Sequence, residues 1–302
     1  MARPEPVVAP ISAARNRLWL PRVALASCVR AGLLRDTRGL ALSDWQRFTH
    51  LPAGGFCAIT WWFEGEIEAA PPGVAVDLAT PRRRLAGPHP LGRPVLLSGP
   101  HTQPTVYWSP GSSHALMLVL MPDALHAMTG VATDRLVNGL VDATTVLPAD
   151  WVAMCDAVLR AADDDARLAL IDDFLTPRWR AARPRHGLAA QHVGDWVQAM
   201  AMRAATSTAG RSLRQMERRI KRWAGLSLRE AKALSRAERA FVLGMAAHRA
   251  GPVNWAEMAG DLGYADQSHL CRVTRRITGY APEELRRLVD TDERMWAYRL
   301  WA

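Results

Sequence analysis

From Gly263 to Leu285 the chain reads GYADQSHLCRVTRRITGYAPEEL. A glycine turn leads at once into a segment dense in polar and basic side chains, and a second glycine and a proline close it. Upstream, WAEMAGDLG sets Trp255, Met258, Ala259 and Leu262 at i, i+3, i+4 and i+7, one apolar stripe of a short helix. Gly263 supplies the permissive backbone of a tight turn. From about Asp266 to Thr278 the spacing predicts a second helix with Leu270, Val273 and Ile277 facing inward. Gln267, Ser268, Cys271, Arg272, Arg275 and Arg276 stand on or near its outer face, and Asp266 occupies the N-cap. Gly279 is placed to end that helix and Pro282 to start the next. Two helices crossed at a short turn, the second exposing hydrogen-bonding groups at its N-terminal turns, have the shape that enters a DNA major groove. Gln can pair with adenine edges, and Arg with guanine or phosphate.

A looser copy precedes it. In GRSLRQMERRIKRWAGLSLRE, Gly210 to Glu230, residues Leu213, Met216, Ile220 and Trp223 fall on one face at i, i+3, i+7 and i+10. Arg214, Gln215, Glu217 and Arg218 point away from it. Val193, Trp196, Val197 and Met200 form the stripe of a supporting helix, followed by the longer turn TSTAG. Between the copies, SLREAKALSRAERAFVLGMAAHRAG reads as one long helix with Leu228, Ala231, Leu234, Phe241 and Met245 inward.

The run GYADQSHLCRVTRRITGYAPEELRR resembles the second helix-turn-helix signature of the AraC-type (AraC/XylS) transcriptional regulators, carried here by Gly263, Tyr264, Asp266, Ser268, Leu270, Arg272, Gly279 and Pro282. It departs from that pattern at Thr274, where the family has an aromatic. The first copy is similar to the family's first reading helix, and the resemblance covers about 110 residues. It implies an all-α DNA-binding domain with two helix-turn-helix units joined by a long helix, their reading helices roughly 34 Å apart, one turn of DNA. The partners it implies are duplex DNA, a small-molecule effector, RNA polymerase and a second copy of the chain. A looser similarity ties GPHTQPTVYWSPGSSHALMLVLMPDALHAMTG to the sensor-type domain of a subgroup of these regulators, which implies a regulatory or dimerising role and names no ligand.

The first half has a different grain. Phe56 to Met121 is rich in short β-type runs separated by Gly and Pro: FCAITWWF, VAVDLA, PVLLSG, PTVYWSPG and HALMLVLM. After Pro122 the pattern turns helical: PDALHAMTG is a short helix ended by Gly130, and LPADWVAMCDAVLRAADDDARLALIDDFLTPRW gives two helices joined near Asp163 to Asp165, an acidic run read as N-terminal capping. The segment ARPRHG, Ala182 to Gly187, marks a break. The expected architecture is an α+β sensor-like domain over 1–184, β-rich with C-terminal helices, followed by an all-α domain over 185–302.

Charge follows the same division. The net charge is +9, with 18 Lys+Arg against 17 Asp+Glu in residues 1–184 and 20 against 12 in residues 185–302. The basic excess therefore sits in the helical part, the electrostatic footprint of a nucleic-acid-binding module. The four cysteines, Cys28, Cys57, Cys155 and Cys271, have no CxxC pairing, which fits buried free thiols in a reducing cytoplasm and indicates neither a disulfide framework nor a zinc site. No membrane or targeting segment is expected, because Pro21 and Arg22 interrupt the apolar N-terminal run.

His89, His101, His114 and His126 lack the close His-x-His pair of a cupin metal site and are assigned to turns and core, with no metal or cofactor expected. Ser113 beside His114 is read as the start of a strand, since no GxSxG elbow is present. Trp61, Trp62, Tyr107 and Trp108 are assigned to core packing ahead of a ligand pocket. PRRRLAG, Pro81 to Gly87, reads as a solvated loop, and Trp296, Tyr298 and Trp301 are expected to pack against the helical domain. The function expected is that of a sequence-specific DNA-binding regulator that catalyses no reaction. The alternative is an enzyme whose catalytic N-terminal domain carries a DNA-binding tail.

Overall fold

The computed structural model describes residues 15–69, 94–183, 193–206 and 212–301. VAVDLA, PRRRLAG, His89 and the turn TSTAG beyond Thr206 lie outside these residues, as does ARPRHG beyond Arg183.

The first half contains β1 (Arg15–Trp19), β2 (Val29–Asp36), β3 (Phe48–Leu51), β4 (Cys57–Glu64), β5 (Glu68–Ala69), β6 (Val95–Ser98), β7 (Thr105–Trp108) and β8 (His114–Leu120). Then come α1 (Pro122–Thr129), β9 (Leu140–Asp142), α2 (Ala149–Arg160) and α3 (Asp164–Ala182). An antiparallel six-stranded sheet has the order β1-β2-β8-β4-β6-β9, and a second sheet the order β3-β7-β5. The chain is thus α+β at its N-terminal end, as expected. The turn to helices after Pro122 is interrupted by β9, which pairs with β6.

Side-chain alternation gives the large sheet two apolar faces. On one, Ile59 and Trp61 of β4 stand beside Leu118 and Leu116 of β8, packed against Trp151, Val158 and Ile171 of α2 and α3. Trp61 Nε1 donates to the Cys155 carbonyl at 3.3 Å. On the other face Thr60, Trp62, Met117 and Val119 line a cavity. This corrects the assignment of the four aromatics to core: Trp61 and Trp108 are buried in core clusters, whereas Trp62 and Tyr107 line the cavity.

Local signals set the helix ends. Pro122 begins α1 and Gly130, in left-handed backbone at φ 73°, ends it. The Asp163 side chain accepts from the Ala166 amide at 2.8 Å and caps α3. Asp164 lies 3.0 Å from His114 Nε2 and accepts from Arg167 at 2.7 Å, which ties the start of β8 to that helix.

The second half contains α4 (Val193–Thr206), α5 (Leu213–Ala224), α6 (Leu228–Ala250), α7 (Trp255–Asp261), α8 (Gln267–Thr278), α9 (Pro282–Thr291) and α10 (Trp296–Arg299). No described residue of this half is in a strand. Capping boxes, Ser212 with Gln215 and Ser227 with Glu230, start α5 and α6.

The two halves share a core. Trp196, Val197 and Met200 of α4 and Ile220 and Ala224 of α5 join the cluster that holds Ile59 and Trp151. Asp123 of α1 accepts from Trp196 Nε1 at 2.8 Å and pairs with Arg203 at 2.9 Å. Further along, the Ala53 amide donates to the Ile277 carbonyl of α8 at 2.8 Å. The C-terminal tail corrects a second expectation. Tyr298 packs with Met245 and Leu285 of the helical domain, but Trp296 packs on Leu33 and Val119 of the sheet and donates to Thr49 Oγ1 at 3.0 Å. Trp301 stacks under Arg30 of β2. Glu293, buried, pairs with Arg35 at 2.9 Å and with Arg299 at 2.7 Å; burial pulls the Arg35 pKa down, Glu293 opposes that only in part, and the Arg299 charge adds to the fall.

Candidate nucleic-acid interface

The second helix-turn-helix unit forms as its spacing requires. Asn254 caps α7 by accepting from the Ala256 and Glu257 amides. Gly263 then turns the chain at φ 70°. The Asp266 carboxylate accepts from the His269 amide at 2.6 Å and starts α8, which Gly279 ends at φ 87°. Leu270 and Ile277 are buried and Val273 is half-buried. Thr274, which stands where an aromatic was expected, is buried too; its carbonyl accepts from the Thr278 hydroxyl at 2.8 Å. A small polar residue fits there because the helix lies directly against the cavity.

The turn itself is braced from α6. Arg236 donates to the Gly263 carbonyl at 3.0 Å and sits over the Tyr264 ring. His269 packs edge-on against the same ring. Neither brace was read from the sequence: Arg236 lies 27 residues from Gly263, and the Tyr264–His269 contact is made across the turn and not by helical spacing.

On the outer face of α8, Gln267, Ser268, Arg272, Arg275 and Arg276 are exposed, and Cys271 is half-buried at its edge. Residues 268, 272, 275 and 276 follow the i, i+4, i+7, i+8 rule of one helical stripe. Among the described residues none of the three arginines has a carboxylate partner. They differ in this from Arg35, Arg203 and Arg286, each held in an ion pair.

In the first unit Arg214, Glu217 and Arg218 are exposed on α5, and Lys221 and Arg222, two residues outside the expected set, extend the same basic face. Gln215 is placed differently: its side-chain oxygen accepts from the Ser212 hydroxyl at 3.0 Å and the Ser212 amide at 3.2 Å, so it serves the cap. Leu213 is 77% exposed, which corrects its assignment to the inward face, whereas Ile220 is buried and Met216 and Trp223 are half-buried as expected. At N1 of the helix Leu213 precedes the stripe that docks on α4, so helical spacing alone overreached by one turn. Arg219 donates to the Ala204 carbonyl at 2.8 Å and fixes α5 against the end of α4.

Cations of both units act on the start of α6. The Glu230 carboxyl is held below its usual range first by the Ser227 hydroxyl, with the Ser227 amide, Lys221 of α5 and Arg276 of α8 adding to the effect. One acidic cap therefore feels cations from both outward helices. Helices with unpaired cations along their outer faces and hydrogen-bonding groups at their first turns suit a polyanionic duplex.

Comparison with known proteins agrees. Residues 206–288 match the model of a helix-turn-helix domain family, of the AraC type. No curated protein matches the chain. Among solved structures, it is similar to ToxT from Vibrio cholerae. An apo point variant from strain SCE256 matches at 10% identity over 84% of this chain and 96% of that one, with a TM-score of 0.35. Another crystal form of ToxT, at 1.65 Å resolution, matches at 10% identity over 79% and 93%, with a TM-score of 0.36. ToxT of strain O395 bound to (E)-4-(8-methylnaphthalen-1-yl)but-3-enoic acid matches at 8% identity over 85% and 96%, with a TM-score of 0.33. At TM-scores of this size the family assignment rests on residues 206–288. With the basic outer faces and the two capped units in place, that match makes this chain a DNA-binding transcriptional regulator that carries an AraC-type helix-turn-helix domain.

Proposed function

We propose that residues 185–302 read duplex DNA through the outer faces of α5 and α8, and that residues 1–184 regulate that reading in response to a small-molecule effector. Arg214, Glu217, Arg218, Gln267, Ser268, Cys271, Arg272, Arg275 and Arg276 are the contacting set, with Gln215 contributing through its free amide group. Arginines bound to phosphate supply most of the affinity and its salt dependence, while Gln267, Ser268 and Arg272 at the first turns of α8 supply base preference. The chain acts by binding, in the cytoplasm, with RNA polymerase and a second copy of itself as protein partners. Among the described residues no helix is long and apolar enough to cross a membrane.

The observation that carries the regulatory part is the two-sidedness of α8. Its outer residues are the unpaired arginines, and its inner residues Leu270, Thr274 and Ile277 roof the cavity whose floor is the large sheet. A molecule in that cavity touches the helix that touches DNA, so differential binding needs no longer path. Selection of bound sequences from a random duplex pool by the full-length protein, at two salt concentrations, tests the reading. A motif with two elements about one helical turn apart is the expected result. Recovery of sequences without any shared motif at either salt would overturn it.

A further inference from the structure

The cavity between the sheet and the helical domain has a volume of about 270 Å³, and its lining tells what it accepts. We propose that it selects an uncharged, mainly apolar ligand with one or two hydrogen-bonding groups and rejects carboxylates. This rests on the reading that the cavity holds an effector.

Three arginines line the cavity, and each is already paired with a carboxylate. Arg30 pairs with Glu238 at 3.0 Å, Arg35 with the buried Glu293 at 2.9 Å, and Arg286 with Glu283 at 2.6 Å and Asp290 at 3.4 Å. No lysine is among the described residues that line it. An anionic head group in this space would have to be desolvated without a free cation, and would compete with carboxylates already in place.

The hydrogen-bonding capacity left over is neutral. Trp62 Nε1, both ring nitrogens of His101 and the Tyr298 hydroxyl are buried and have no hydrogen-bond partner among the described residues, and all three residues line the cavity. Burial lowers the His101 pKa, so its ring presents one donor and one acceptor. Buried polar atoms of this kind are expected to find a partner. An alcohol, ketone or amide on an apolar body can satisfy Trp62 and His101; a carboxylate can accept from Trp62 but brings a charge that nothing balances. The rest of the lining is mainly apolar, with Leu33, Met117, Leu234 and Phe241, and apart from Glu238, the partner of Arg30, its other polar side chains are neutral hydroxyls such as those of Thr60, Ser98 and Thr274.

The test compares n-decanol with decanoate, which share a chain and differ in head-group charge, by calorimetric titration of the full-length protein at a pH above 7. Decanol is expected to bind saturably, and decanoate at least about tenfold more weakly. In Trp62→Phe, which keeps a ring and loses the donor, decanol binding should fall several-fold. In Glu238→Gln, which removes the carboxylate paired with Arg30, decanoate should gain affinity while decanol does not. If decanoate binds wild type as tightly as decanol, the selectivity is wrong while the effector reading of the cavity stands. Saturable binding of neither probe, or decanol binding untouched by Trp62→Phe, would overturn the cavity reading and this inference with it.

Discussion

Arg272 and Arg35 carry the same charge in opposite surroundings. Arg35 is buried, stacked over Trp296 and tied to Glu293, and joins sheet to tail. Arg272 is exposed on the outer face of α8 with no carboxylate partner among the described residues. Sequence reads both only as arginine, and the difference is what assigns one to structure and the other to DNA. Arg272→Ala should weaken binding to a selected operator by roughly 1 to 3 kcal/mol while leaving binding to random duplex much less affected. Competition binding at fixed salt measures both, and an equal loss on the two DNAs would reduce Arg272 to a phosphate contact. Gly225 makes a sharper prediction about stability. It ends α5 at φ 73°, where an added Cβ would lie 3.1 Å from Pro100 Cγ, the Thr133 carbonyl and Val137 Cγ2. Gly225→Ala should therefore combine left-handed strain of about 1 to 3 kcal/mol with a push against the first half, seen as a lower unfolding midpoint in urea.

At the scale of elements, α8 shows why its unit could be recognised whole and the sheet only in part. Every signal that builds the unit is local: an apolar stripe at helical spacing, Gly263, the Asp266 cap, Gly279 and Pro282. Asp266→Ala removes the cap and should cost about 0.5 to 2 kcal/mol of stability. Because it frays the turn that holds Gln267 and Ser268, operator affinity should fall with it, and Asp266→Asn or Asp266→Ser should recover most of both in parallel melting and binding measurements. By contrast β2, read VRAGLLRD, has no alternation because both faces of its sheet are covered, so its sequence lacks the period of a half-exposed strand. Its neighbours β1 and β3 are short and lie outside the Gly- and Pro-punctuated region, and β9 is a strand of three residues. The cavity was legible only as a weak alternative at Trp62 and Tyr107, since alternation tells which side chains share a face and not what stands opposite. The tail departed from expectation for a related reason. Trp296 and Tyr298 are two residues apart, about half a helical turn, which sends them to different halves of the molecule.

For the whole molecule, the contacts between the halves should make stability depend on pH. His50 of β3 is buried, with Nδ1 3.5 Å from the Tyr280 hydroxyl just past α8, and Arg294 and Asp292 of the tail lie close by. Burial, and then the Arg294 charge, lower its pKa to about 4, with Asp292 opposing. In the unfolded chain a histidine titrates near ~6.5. Between those values the unfolded state takes up a proton that the folded state refuses, so stability is complete above about pH 6.5 and falls as the pH drops towards 4. Burial of His101 acts in the same direction. His50 alone should account for about 2 kcal/mol between pH 7 and pH 5. Urea unfolding at the two pH values should show that loss in the wild type and a flatter profile in His50→Gln, with His101→Gln removing a further part. Since His50 meets Tyr280 across the boundary between the halves, acidification should loosen the seat of α8 before it melts the sheet. Hydrogen exchange at pH 5 should then rise first at Ala53, whose amide is bound to the Ile277 carbonyl, and remain slow at Ile59 and Leu118 in the middle of the large sheet. Simultaneous loss of protection at all three amides would mean that the halves unfold as one unit and that His50 reports on global stability alone.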